Sequence, residues 1–234
     1  WSGSWRAGGE PTLTEARALL ERAGWGVVQE RVLAGLLHDL RGRATALSGL
    51  GQLMGAGDDR GVWFAEHLSA EVSRLEEAIG LLALLTGAPG GEPEPLSLVE
   101  VLPGTLELWS RASGSPLPVS LDHDGVTPPV LVPWASLHRA VLLLLHRCDG
   151  WLRRAGATGL RMSLRGDDEE ALLRVTGLGD EPEGEIRIGS PDSGELGGLV
   201  DVWASLEGRL AVEAEPDEDG DRLLLRLPAL SAVR

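Results

Sequence analysis

Apolar residues recur at helical spacing through the first third of the chain and in short, strand-like runs through most of the rest. Between Arg31 and Met54, the residues Leu33, Leu36, Leu37, Leu40, Ala44, Leu47, Leu50 and Met54 fall on one face at a period of 3.6, which predicts a long amphipathic helix. Upstream, Thr12 and Glu15 have the spacing of a capping box and open a helix through ARALLERAGWGVVQERV that feeds into the first, with Gly24 and Gly26 as weak points. GAGDDRG then reads as a turn, and VWFAEHLSAEVSRLEEAIGLLALLTG as a second amphipathic helix carrying Leu68, Val72, Leu75, Ile79, Leu82 and Leu85. The two form a helical hairpin, and two helices cannot enclose so much apolar surface. A homodimer making a four-helix bundle is expected to cover it, the competing cover being the chain's own C-terminal part.

Gly87 to Pro95, GAPGGEPEP, breaks the pattern with helix breakers and solvated carboxylates and marks a hinge. Beyond it, LSLVEVLPGTLELWSRAS predicts a helix interrupted at Pro103, followed by strands in PVSLDHD and PPVLVP. A strongly apolar helix, WASLHRAVLLLLHRCDGWLRRAG, comes next. Four further strands follow in LRMSLRG, ALLRVTGLG, GRLAVEAEP and DRLLLRLPAL. The acidic runs Asp167 to Glu170 and Glu215 to Asp221 read as solvated hairpin turns. The whole is an α+β chain, with segment boundaries at 1–30 (N-terminal helix), 31–87 (hairpin), 88–95 (linker) and 96–234 (an α/β sandwich).

Composition narrows the function. With 43% hydrophobic residues in 234, the chain can bury a core without staples, and the single Cys148 excludes an intramolecular disulfide, as suits a reducing, cytoplasmic setting. A net charge of −15 repels nucleic-acid phosphates, and no basic cluster with interleaved aromatics offsets it. No apolar run is long enough for a membrane span, and the first residues lack the sections of a signal peptide. The chain has no Lys, Asn or Tyr, so every fixed cation is an Arg. His123, His138 and His146 show no zinc-type spacing with Cys148, and no metal site is assigned.

The candidate chemistry is one reactive pair, His38 and Asp39, in the first long helix. Neutral imidazole is a competent nucleophile near physiological pH, and a neighbouring carboxylate stabilises the ring as positive charge develops on it. Steps of three and four from His38 reach Ala34, Gly35, Arg41, Gly42 and Thr45, mostly small residues over which another protein's backbone could approach. An ordinary solvated helix face would also carry such a pair.

The run HDLRGRATALSGL resembles the H-box of the dimerisation and histidine-phosphotransfer domain of two-component histidine kinases. The resemblance implies that His38 carries the phosphoryl group, that Asp39 polarises its imidazole, and that receiver domains of response regulators dock over Arg41, Gly42 and Thr45, with Arg41 neutralising phosphate charge. Gly42 and Arg43 stand where the family has Thr or Asn followed by Pro, so the side chain that orients the dephosphorylating water is missing.

From about Pro95 to Leu230 the order of elements resembles the ATP-binding domain of the same proteins and of related GHKL ATPases. The departures fall on the nucleotide chemistry. Where the family has a magnesium-coordinating Asn, this chain has His146 or Arg147, neither a fit ligand for an ion that needs oxygen atoms. The Asp-x-Gly-x-Gly box, whose Asp accepts a bond from adenine, reads VTGLG here, with Val175 ahead of Gly177 and Gly179. SGELGGLV retains Gly194, Gly197 and Gly198 for a phosphate-cradling turn, although an ordinary turn would use the same residues.

The expected function is therefore a histidine phosphotransferase without a resident cofactor, relaying phosphoryl groups between receiver-domain aspartates through His38. The alternatives are an active sensor histidine kinase core with a divergent Mg-ATP site, and a non-catalytic pseudokinase scaffold.

Overall fold

The computed structural model describes residues 13–55, 61–86, 92–123, 125, 127–166, 170–179, 185–186, 211–217 and 220–228. Helix α1 (Leu13–Gly55) is continuous for 43 residues, so the capping-box helix and the histidine helix are one element. Gly24 and Gly26 lie inside it. No Pro interrupts the run, and a helical glycine costs only about 1 kcal/mol relative to Ala, which packing can offset. Helix α2 (Gly61–Thr86) completes the hairpin.

Strand β1 (Glu94–Leu96) follows, in residues the pattern placed at the hinge; three residues are too few for a periodic signal. It pairs antiparallel with β3 (Val130–Val132). Between them lie helix α3 (Leu98–Ser110) and strand β2 (Val119–His123). Pro103 does not end α3. It is exposed, so water can serve the Val99 carbonyl that its missing N–H leaves open.

Helix α4 (Trp134–Arg154) buries nearly every side chain from Ser136 to Leu145. It is followed by strands β4 (Gly159–Gly166), β5 (Glu170–Leu178), β6 (Glu185–Ile186), β7 (Ala211–Asp217) and β8 (Gly220–Pro228). The larger sheet runs β2-β4-β5-β8-β7, with β6 also on β5. Among the described residues β2 and β4 pair in parallel and the other strand pairs are antiparallel.

One hydrophobic core unites α4 and its sheet with both hairpin helices. It takes Leu137, Leu144 and Leu145 from α4, Leu160, Met162 and Val175 from the sheet, Val28, Val32 and Leu36 from α1, and Leu81 and Leu85 from α2. The α+β order of hairpin, then sandwich, is the one the pattern predicted. The chain's own C-terminal part covers one end of the hairpin.

Candidate functional site

His38 is exposed on α1, on the stretch just past the fully buried Leu36. Arg41, Gly42 and Thr45 are exposed too, and the Thr45 hydroxyl donates to the Arg41 carbonyl at 2.9 Å. A Cβ built on Gly42 would meet nothing within 4 Å. The surface following His38 along the helix is therefore open. At Gly35 the situation reverses: a Cβ there would lie 1.7 Å from the Arg111 carbonyl oxygen. The close approach expected over the small-residue strip is thus made, at this position, by the chain's own backbone after α3.

Asp39 is half-buried and charge-paired. Its Oδ2 accepts from Arg43 Nε at 3.2 Å and Nη2 at 3.0 Å, and from Arg111 Nη1 at 2.6 Å. Arg43 also lies 3.7 Å from Glu71 on α2, and Glu71 accepts from Arg74 at 2.6 Å. Arg111 in turn donates to Glu107. A line of alternating charges thus runs from α3 across α1 to α2, with the carboxylate next to His38 at its centre. Arg43 is four residues from Asp39, the spacing at which helical side chains meet. Arg111, 72 residues away, is brought in by the docking of α3.

A second anchor holds α1 about two turns earlier. Arg31 Nε donates to the Ser113 carbonyl at 2.6 Å, the Ser113 N–H returns a bond to the Arg31 carbonyl at 2.9 Å, and the guanidinium reaches Asp149 Oδ2 at 3.3 Å. Asp149 is 4% exposed, yet its other oxygen accepts from Leu117 N–H at 2.8 Å and Arg153 Nε at 3.0 Å. A buried carboxylate with this many donors is well compensated for its lost hydration. Arg31 also lies over the Trp109 ring, 5.0 Å from its centroid.

The residues expected at a nucleotide site are placed as follows. His146 is half-buried on α4, with Nδ1 3.4 Å from Arg31 Nη1, facing the hairpin helix. Its neighbour Arg147 is half-buried. Val175 is buried in β5, opposite Met162 on one side and Leu223 on the other. Gly177 sits in the same strand between Leu160 and Ile186, and Gly179 just follows it. Gly194 and Gly197 lie outside the described residues. His38 and Asp39 thus stand on α1, His146 faces Arg31 from α4, and Gly177 belongs to the sheet.

Two buried groups have perturbed protonation. Burial holds His138 down at about 4, and its Nδ1 meets the Thr105 hydroxyl while Trp134 stacks edge-on at 4.4 Å. Burial, with Asp149 adjoining, pushes the Cys148 thiol up to about 12, so it is an inert apolar residue and not a nucleophile. Among the described residues no group of three or more His, Cys, Asp or Glu side chains is placed to hold a metal ion, and no helix is long and apolar enough to cross a membrane.

Sequence reasoning did not single out Arg111, Arg31, Glu71 or Asp149. Arg31 and Asp149 are 118 residues apart and Arg111 lies in a stretch read only as helix end; no local spacing announces such partners. The pairing of Arg43 with Asp39 was not singled out either, although its i, i+4 spacing is a local signal that could have announced it.

No family model matches the sequence, and no curated protein does. Among solved structures, the chain is similar to the histidine kinase AdeS of Acinetobacter baumannii, at 17% identity over 82% of this chain and 98% of that one, with a TM-score of 0.42. It is similar to the ATP-binding domain of PrrB from Mycobacterium tuberculosis, at 21% identity over 59% of this chain and 98% of that one, with a TM-score of 0.43. A third is the histidine kinase ThkA in complex with the response regulator protein TrrA, at 15% identity over 96% of this chain and 70% of the other, with a TM-score of 0.43.

Proposed function

We propose that this chain is a two-component signalling protein, a histidine phosphotransferase that passes phosphoryl groups between receiver-domain aspartates through His38. The observation that carries the reading is the exposed imidazole of His38 on an open helix surface, next to a carboxylate held by two guanidiniums. An incoming acyl phosphate would meet a ring nitrogen; the N–P bond forms as the P–O bond to the donor carboxylate breaks, and that carboxylate leaves with the electron pair. A second aspartate reverses the step. Arg41, three residues on and exposed, is within the helical neighbourhood where a guanidinium offsets phosphate charge.

The hairpin supports a homodimer. Leu37 and Leu53 on α1 and Trp63, Leu68, Val72 and Ile79 on α2 are between 38% and 55% exposed, a spread of apolar surface that the chain's own sandwich leaves uncovered. A second hairpin packed against it would make a four-helix bundle and bury these residues.

The residues matching a Mg-ATP site do not fit that ligand. The Val175 side chain offers no hydrogen-bond acceptor and packs in the sheet, and the His146 and Arg147 side chains bring no oxygen ligand for magnesium. No step here runs through nucleotide.

The test offers purified protein a phosphorylated receiver domain as donor, with His38→Ala as control, beside a parallel incubation with Mg²⁺ and γ-labelled ATP. Acid-labile label on the wild type from the receiver alone is expected. Label from ATP would make the protein a kinase; transfer that survives His38→Ala, or no transfer from any receiver, would sink the assignment.

A further inference from the structure

The carboxylate beside His38 is engaged by two guanidiniums, and one of them is delivered from outside the hairpin. All of its hydrogen bonds fall on Oδ2: Arg43 Nε at 3.2 Å, Arg43 Nη2 at 3.0 Å and Arg111 Nη1 at 2.6 Å. Among the described residues no donor reaches Oδ1 and no hydrogen bond reaches the His38 ring. The acid that should assist the imidazole therefore holds arginines instead. The shortest of its bonds comes from Arg111, the residue at the C-terminal cap of α3.

The two guanidiniums arrive differently. Arg43 shares a helix with Asp39 at i, i+4 spacing, so it accompanies the carboxylate whatever the rest of the chain does. Arg111 arrives only because the turn after α3 is docked on α1. Gly35, one helical turn before Asp39, makes room for the Arg111 carbonyl, and two residues further on Ser113 exchanges bonds with Arg31. Arg31 in turn reaches the buried Asp149. The Arg111 side chain is 18% exposed and that of Asp39 31%, so the pair is partly shielded from solvent ions. Glu107 also accepts from Arg111, so loss of this guanidinium leaves two carboxylates, one of them next to His38.

An imidazole that attacks an electrophile develops positive charge, and a nearby carboxylate favours that charge. Adjacent positions on a helix do not face each other, so Asp39 acts on the His38 ring through space. A guanidinium bound to the carboxylate opposes this action, because it cancels the field of the charge it binds. We propose that Arg111 is an autoinhibitory contact: with the turn after α3 docked on α1, its guanidinium withholds the Asp39 charge from His38, and release of that turn raises the reactivity of the imidazole. Arg43 stays on Asp39 in both arrangements, so the contact adjusts the reactivity of His38 by degree. The inference rests on the phosphotransfer reading for what the reactivity serves, and on the Arg111–Asp39 geometry for the contact itself.

Acylation of the full chain by diethyl pyrocarbonate tests it without any receiver domain. A neutral ring nitrogen takes the ethoxycarbonyl group as ethyl carbonate leaves, and peptide mapping by mass spectrometry reads the extent at His38. His38 is expected to react roughly threefold faster in Arg111→Gln, the scale of one partly exposed ion pair. Arg111→Lys, which keeps the charge, is expected to stay near the wild-type rate. In the Asp39→Asn background, where Arg111 is left with Glu107, Arg111→Gln is expected to bring no gain. The substitutions leave the backbone contact at Gly35 in place, and thermal melts verify that each variant is folded. Equal rates in the wild type and Arg111→Gln, or the same gain in the Asp39→Asn background, overturns the proposal. Faster acylation of Arg111→Gln without phosphoryl transfer from any receiver would uphold the contact and sink only the transferase reading; transfer without faster acylation would do the reverse.

Discussion

The two ends of the described part of α1 look alike in sequence and live in different surroundings. From Val28 to Leu36 the helix is embedded: Val28, Val32 and Leu36 are fully buried, Arg31 is pinned to Asp149, and Gly35 lies flush against the Arg111 backbone. From Leu37 to Leu53 it stands clear: Leu37 is 42% exposed, Leu53 is 54% exposed, and His38, Arg41, Gly42 and Thr45 all face outward. Both stretches carry leucines at helical spacing and a glycine in the small-residue strip. What separates them is the packed cover that α3, α4 and the turn after α3 provide for the first, while the second is reached by the Arg111–Asp39 ion pair. The lesson is that one helix can serve as foundation and as presenting surface, with the change occurring between Leu36 and His38.

The sharpest way to break this comparison is one substitution made in both halves. Gly35→Ala puts a methyl carbon where the Arg111 carbonyl already lies, and overpacking against backbone should cost about 3 kcal/mol or more. Gly42→Ala meets nothing and should stabilise by up to about 1 kcal/mol through helix propensity. Chemical denaturation of both variants checks the pair, and equal signs would mean that the docking of α3 on α1 is not as described.

Leucine truncation follows. Leu36→Ala should destabilise the fold by about 3 kcal/mol, as for a buried large-to-small change. Leu37→Ala should cost the isolated chain well under about 1 kcal/mol and instead weaken self-association, measurable by sedimentation. Self-association equal in Leu37→Ala and wild type would count against Leu37 in the proposed dimer interface.

A pH titration probes the embedded side. His138 is held at about 4 in the fold, against 6.5 when unfolded, so between these values the unfolded chain binds the extra proton. Its contribution is therefore whole above pH 6.5 and is lost as pH falls toward 4, by up to about 3 kcal/mol at about 1.4 kcal/mol per tenfold. Replacing His138 with Leu should flatten that part of the stability profile, and an unchanged slope would assign it to other groups.

A modest effect is expected where the halves meet. Arg111→Ala removes one of the two guanidiniums on Asp39 and should cost about 1 kcal/mol, since the pair is partly exposed. Arg43 continues to hold the carboxylate. A double-mutant cycle with Asp39→Asn isolates the pairwise part; zero coupling would make the contact incidental.

Much of this was readable from local pattern. The hairpin, α3, the buried α4 and most strands follow from apolar spacing, because burial on one face imposes a period that survives in the sequence. Three-residue β1 was not readable, since a strand that short is set by its partner β3 alone. His38 and Asp39 stood out in the sequence as candidates because adjacent polar residues interrupt an apolar helix. Their electrostatic surroundings did not, for Arg111 acts from 72 residues away.

The sequence by itself determined most of the elements and their order, since helical and strand periods and glycine-proline breaks are all local. Tertiary structure alone decided which part of α1 is covered, that Gly35 receives backbone, and that Asp39 is tied to Arg111. The physical reason is that register and docking bring together residues far apart in the chain, and spacing along the chain carries no record of which distant surface will arrive.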